Sequence, residues 1–286
     1  MSTTPLTLLP LWSRQEAHQQ RWGPTIRGMV GSGLVCCGFV LFRCIYGDDD
    51  AWARFLDTMK QRVYTHVQRD ADAGEAFVRY VEPALAWTVI EDETTLANAT
   101  KEQVRERFIA WRDEQLRDTA QHVSVAQAGF YNDLPRFNYC LCVDQACLNS
   151  LEVYRTVEDQ LGFYEAGLPV TVALVASPWA RPYASLADLQ KQDKWLGWGV
   201  FSSRGQPSDD DEDDEDDEEK AAEDEFPPIE SSTSYDVGWM YIEVKTLVGT
   251  YDMLHGGDKW EHYYLRPPLV HPRHRFRRPT LYSLQS

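Results

Sequence analysis

An arginine inside an otherwise apolar strand is the sharpest chemical feature of the chain. Arg43 sits in GFVLFRCIY, Gly38 to Tyr46, flanked by Phe, Val, Leu, Cys and Ile. A guanidinium there must find a carboxylate or an anionic ligand, because an unpaired buried charge is costly. Asp48, Glu91, Asp92 and Asp144 all fall within or just after predicted strands, where open sheets form their ligand crevices. Two readings follow. Either Arg43 forms a buried ion pair with Asp144 or Glu91, or it orients an anionic or carbonyl-bearing small molecule while a neighbouring carboxylate serves as acid or base. Arg43, Asp144 and Glu91 are the candidate catalytic residues of the second reading.

Other reactive types are present without a recognisable pattern. Asp48, Asp49 and Asp50 open a helix, where they suit its cap and the positive end of its dipole. Read as a metal site, they lack EF-hand spacing and converging oxygens. Cys140 and Cys142 share a strand face and with Cys147 make only a partial thiolate set. There is no C-x-x-C and no fourth ligand, so the six cysteines read as reduced core residues. Gly28-Met-Val-Gly31-Ser-Gly33 is neither a dinucleotide fingerprint nor a Walker loop, and it precedes a strand where a phosphate loop follows one. It reads as flexible backbone. No G-x-S-x-G or H-E-x-x-H occurs, and His255-Gly256-Gly257 reads as a helix stop. No cofactor and no metal are expected.

The elements that position these residues follow from periodicity. Both faces of Phe39 to Tyr46 are apolar apart from Arg43, which predicts a strand buried on two sides. Trp52, Phe55, Met59, Val63 and Val67 then recur at helical spacing. Ala86 to Glu91 predicts a strand, and Thr100 with Gln103 a capping box ahead of Val104, Phe108 and Trp111. Phe137 to Val143 predicts a strand ended by Asp144, which caps a helix reaching about Tyr154. Further strands are predicted at Val170 to Ala176, Trp239 to Val244 and His262 to Leu265, the last stopped by Pro267 and Pro268. Helices are expected from Ser185 to Leu189 and Leu247 to Leu254.

Charge is distributed very unevenly. Residues 209 to 225 hold 14 acids and one lysine, so they carry −13 of the chain's net −17. Self-repulsion and the lack of apolar side chains predict a disordered acidic loop over 206–226. Charge blocks of this kind also serve as interaction segments, so a protein partner acting through the loop is one expectation. The tail 271–286 is basic, with Arg273, Arg275, Arg277 and Arg278. It is expected to lie loosely near the acidic loop rather than to bind nucleic acid, because an acidic chain repels phosphate over most of its surface. The longest apolar run, Gly28 to Phe42, is short of the roughly 20 residues that span a bilayer, and no leader pattern opens the chain. The expectation is a cytoplasmic or nuclear protein without membrane contact.

GFVLFRCIYGDDDAWARF, AWTVIEDETTL with KEQVRERFIAWRDEQ, LPRFNYCLCVD and PPIESSTSYDVGWMYIEV together resemble a group of filamentous-fungal (ascomycete) proteins with an acidic insert before the PPIE segment. The resemblance covers most of residues 38 to 270. It implies a shared fold, and no activity comes with it.

Strands alternating with helices, broken by aromatic-rich connections, predict an α+β protein: one domain over 31–205 and 227–270, after an N-terminal extension at 1–30. Its sheet is expected to be mostly antiparallel with helices on one face, as in an elaborated ferredoxin-like fold, with a doubly wound α/β sheet as the alternative. Two functions are compatible with this. One is a non-catalytic binding or regulatory protein. The other is a cofactor-independent isomerase, cyclase or lyase acting on a natural-product-like molecule near Arg43.

Overall fold

In the computed structural model, residues 22–34, 36–69, 71–120, 131, 133–161, 169–177, 226–255 and 259–272 are described. The acidic run, the helix expected at Ser185 to Leu189 and residues 273–286 of the basic tail lie outside them. The chain divides into two units, Met1–Ala180 with Trp239–Ser286, and Arg181–Gly238. In the second unit, Ile229 and Ser232 exchange backbone hydrogen bonds across a tight turn at Glu230 and Ser231, both with positive φ. Phe226 packs its ring 5.3 Å from Tyr235.

The first unit is built around one six-stranded sheet. Its elements run α1 (Gly23–Ser32), β1 (Val40–Arg43), α2 (Asp49–Gln68), α3 (Ala71–Ala76), β2 (Thr88–Ile90), α4 (Glu93–Leu96), α5 (Lys101–Ala120), α6 (Pro135–Asn138), β3 (Tyr139–Val143), α7 (Gln145–Leu161), β4 (Thr171–Ala176), β5 (Trp239–Glu243), α8 (Leu247–Met253), α9 (Trp260–Tyr263) and β6 (Val270–His271). The strand order is β2-β1-β3-β4-β5-β6. An α+β single-domain class describes it, with two departures from the expected detail. The sheet is mixed rather than mostly antiparallel, because β1 runs parallel to both β2 and β3, and β5 to β6, while only the β3–β4 and β4–β5 pairs are antiparallel. Helical connections join β1 to β2 and β2 to β3, and such crossovers return a strand in the same direction.

Helices also cover both faces rather than one. Register places Val89, Leu41, Leu141, Leu174 and Met240 on one face. Leu41, Val89 and Leu141 meet Leu56 and Met59 of α2 and Leu247, Val248 and Tyr251 of α8. Phe42 on the opposite face sets its ring 6.5 Å from Phe108 of α5. The sheet is therefore a buried middle layer, consistent with fully buried β1, β3, β4 and β5.

Local signals explain the helices. Asp48 Oδ1 accepts the Ala51 amide at 2.8 Å to cap α2, and Trp52, Phe55, Met59, Val63 and Val67 are all buried along its inner stripe. Full burial of each such side chain stabilises by about 1.5–3 kcal/mol. The Thr100–Gln103 capping box opens α5, with the Thr100 amide donating to Gln103 Oε1 at 2.9 Å and the Gln103 amide to Thr100 Oγ1 at 3.3 Å. None of the six cysteines is in a disulfide, and all but Cys36 are buried. Burial pushes the Cys37 thiol up to about 12 and holds Cys140 well above the usual thiol range.

Two local expectations fail. Residues 262 to 265 end one turn of helix, α9, and the final strand instead follows the two prolines at Val270–His271; the strand-like alternation there was too short to outweigh a helical turn closed by the Tyr264 amide on the Trp260 carbonyl. The glycine-rich approach to β1 is helix α1, and the boundary drawn at residue 30 cuts through it. Gly28 is needed there for close approach: a Cβ would fall 2.6 Å from His255 Cε1 and 2.7 Å from Leu134 Cδ2. Alanine favours a helix by about 1 kcal/mol over glycine, but this overpacking costs about 1–3 kcal/mol. Gly28→Ala is therefore expected to lower the midpoint of chemical unfolding, and an unchanged or raised midpoint would show that His255 gives way.

Candidate functional site

The carboxyl ends of β1 and β3 lie side by side, with Arg43 opposite Val143 in the register. Because β1 leads by α2 to β2 on one side, and β2 leads by α5 to β3 on the other, this is where the strand order reverses. Open sheets bind ligands at such points. The sequence-predicted residues gather there but fall into two separate clusters.

The first is centred on Arg43, whose side chain is only 6% exposed. It forms an ion pair with Asp49 and lies 3.8 Å from Glu91 Oε2. Its Nε donates to the Ile45 carbonyl at 2.9 Å. The guanidinium carbon sits 4.6 Å from the Tyr46 ring centre and 5.2 Å from that of Trp52, and Trp52 Nε1 donates to Glu91 Oε1 at 2.7 Å. Asp92 is nearby through its amide, which donates to the Tyr46 hydroxyl at 2.9 Å. Arg43 is thus bracketed by two rings and two acids.

The second cluster holds Asp144. Lys101 Nζ, on the first residue of α5, lies 2.7 Å from Asp144 Oδ2 and 4.6 Å from the Trp239 ring centre. The Cys147 amide donates to Asp144 Oδ1 at 3.0 Å, and the Tyr241 hydroxyl lies 3.4 Å from Oδ2. Burial alone would raise the Asp144 carboxyl, but the Lys101 ammonium and the donated hydrogen bonds hold it below the usual range. Burial, with the Asp144 charge added, pushes the Tyr241 phenol far up. Asp144 is therefore a structural tie among β3, α5 and β5, and the expected Arg43–Asp144 pair is not formed. Cys44 and Cys142 meet between the clusters, with their sulfurs 3.5 Å apart.

Sequence reasoning missed Lys101, Asp49, Trp52 and Tyr46 as partners. Lys101 follows an N-cap, a position that looks solvent-facing, while Trp52 was legible only as part of an apolar stripe. Asp49 is 86% and Glu91 46% exposed, so water can take over from the arginine. Arg43→Leu and Arg43→Lys are accordingly each expected to cost about 1–2 kcal/mol in urea unfolding, below the roughly 3–5 kcal/mol of a broken fully buried pair. Parent-like stability in both variants would mean the contacts contribute nothing.

Fold and site define a mixed-sheet α+β protein whose charged residues at the strand-order reversal neutralise one another. No protein-family model matches the chain, and no curated protein or solved structure is significantly similar to it. Among the described residues no three His, Cys, Asp or Glu side chains converge to hold a metal ion. No helix among them is long and apolar enough to cross a membrane.

Proposed function

We propose that this is a non-catalytic intracellular binding or regulatory protein that acts through contacts with a protein partner, the acidic run at 206–226 being its interaction segment. The observation that supports this reading is the mutual engagement of the candidate catalytic groups: Arg43 with Asp49 and Glu91, and Asp144 with Lys101. A general acid or base needs a proton-transfer position open to substrate, and each of these carboxylates is already held by a cation.

The alternative, a cofactor-independent isomerase, cyclase or lyase, would need an apolar pocket large enough for its substrate. An apolar cavity of about 20 Å³ lies between the sheet, α2 and α8, lined by Leu41, Met59, Val89 and Tyr251. Trp87 also lines it, and its buried indole Nε1 has no hydrogen-bond partner. Ligand pockets usually measure about 300–1,000 Å³, so this space holds about one water and favours the binding reading.

The test is quantitative affinity capture with the full chain and with a variant lacking 206–226, at low and high salt. The reading expects a defined set of partners that is lost on deletion and weakened by salt. Identical recovery by both proteins would overturn it.

A further inference from the structure

α1 is held in place by polar contacts at its two ends and by a histidine under its middle. It packs chiefly on α8 and on the helical segment Phe77–Val81. Ile26 and Met29 are buried on its inner side, while Val30 is half exposed. The first turn carries no acid of its own, and there the Thr25 amide and hydroxyl both donate to Asp252 Oδ1 of α8, at 2.9 and 2.7 Å. That carboxylate answers an amide that a helix start leaves open. At the far end the Tyr131 hydroxyl donates to the Ser32 carbonyl at 3.1 Å.

His255 follows α8 and packs edge-on against the Tyr251 ring. The Gly28 backbone comes so close that a side-chain carbon there would lie 2.6 Å from His255 Cε1 and 3.1 Å from Nδ1, and Leu134 closes the same space from the segment before α6. The charged or titratable groups on these elements are Arg27 of α1, Tyr251 and Asp252 of α8, and the exposed Asp133 beside Leu134. His255 Nε2 is buried with no hydrogen-bond partner. Protonation puts a charged N–H where no acceptor stands, which is costly; burial first, and then the Arg27 charge, accordingly lower the imidazole from 6.5 to about 4. Relief comes when one wall of the space withdraws. α8 is fixed to the sheet through Leu247, Val248 and Tyr251, whereas α1 rests on helices.

We propose that α1 is an acid-released latch: protonation of His255 frees Gly23–Ser32 from α8 while the sheet stays folded, which uncovers Ile26 and Met29. The imidazole is neutral in the closed state and takes up a proton at its ordinary value in the open state, so opening is favoured as pH falls. The opening constant should rise about 20-fold from pH 7 to pH 5 and level off below about 4. The latch is independent of the partner reading: it lies on different residues from the acidic run, and neither requires the other.

Hydrogen exchange of the full-length protein tests it, read by mass spectrometry on peptides covering residues 23–32 and corrected for the intrinsic pH dependence of exchange. The α1 amides are expected to exchange through an opening that leaves β3 and β4 protected, and to show the pH response given above. His255→Phe keeps a ring beside Tyr251 that cannot protonate, and is expected to abolish the response. Asp252→Asn keeps an oxygen acceptor for Thr25 while removing the carboxylate, and its response is expected to match the parent's. The parent and Asp252→Asn readings stand even where phenylalanine at 255 impairs folding. Exchange of α1 only together with β3 and β4, an unchanged response in His255→Phe, or a response lost in Asp252→Asn would each overturn the proposal, the last in favour of a carboxylate switch.

Discussion

Lys101→Met is expected to destabilise the protein by about 3–5 kcal/mol, the range for a buried ion pair that loses one partner. Lys101 is 7% and Asp144 21% exposed, so neither charge can be handed back to water without moving β3 or the start of α5. Methionine fills the volume of the lysine stem beside Trp239, which confines the loss to the missing ammonium. Asp144 keeps the Cys147 amide and the Tyr241 hydroxyl, but with the ammonium gone, burial then dominates and drives its carboxyl upward. Two measurements check this account. In the double variant Lys101→Met with Asp144→Asn, asparagine still caps α7, and the combined loss should fall well short of the sum of the single losses. The pH dependence has a definite sign as well. In the parent, the lowered Asp144 carboxyl contributes stability above its ordinary value, and that contribution is lost as pH falls through the folded value. In Lys101→Met the carboxyl protonates more readily, so the gap between variant and parent should narrow toward acid. A gap that stays constant with pH would place the cost in packing rather than in charge.

The two clusters show what could be read from the chain and what could not. Arg43 stood out because one charge interrupts two apolar faces, and its neighbour Glu91 was among the acids expected to answer it. The Arg43–Asp144 pairing failed for a spatial reason. Asp144 follows β3 directly beside β1, as the sequence suggested, yet the start of α5 delivers Lys101 to it first, and no periodicity marks the first residue of a helix as buried. The helix-bounded strands β1, β2 and β3 already carried the signal for parallel pairing, since long helical connections cannot make hairpins. β4 and β5 are antiparallel neighbours despite the long acidic stretch between them, and a pairing across so many residues has no local signature.

Acid is expected to destabilise the protein in two stages, and two histidines account for the first. His255 packs against Tyr251 with ring centres 5.4 Å apart, and its Nε2 is buried without a partner. Burial, helped by the nearby Arg27 charge, lowers its value from 6.5 to about 4. His271, which the sequence placed in a basic tail, is paired with Ile242 in β6. Burial lowers it to about 4 as well, against a smaller opposing effect of the hydrogen bond between its ring and the Tyr263 backbone. Both are therefore neutral in the folded protein at pH values where the unfolded chain has already taken up a proton. Stability is then fully present above about pH 6.5 and falls as pH drops toward about 4, by up to about 1.4 kcal/mol per pH unit for each histidine. Below about 4 both states are protonated at these sites and their contribution levels off, leaving the loss of the Asp144 charge to act at still lower pH. His271→Phe keeps the edge-on contact with Tyr263, whose ring centre lies 5.8 Å away, and removes one titrating group. Urea unfolding followed from neutral pH into the acid range should show a shallower decline for His271→Phe than for the parent, starting from a neutral-pH stability lowered by the loss of the ring's hydrogen bond to the Tyr263 backbone. Superimposable declines would mean that His271 protonates without leaving its place in β6, and that the acid limb belongs to His255 and the carboxylates.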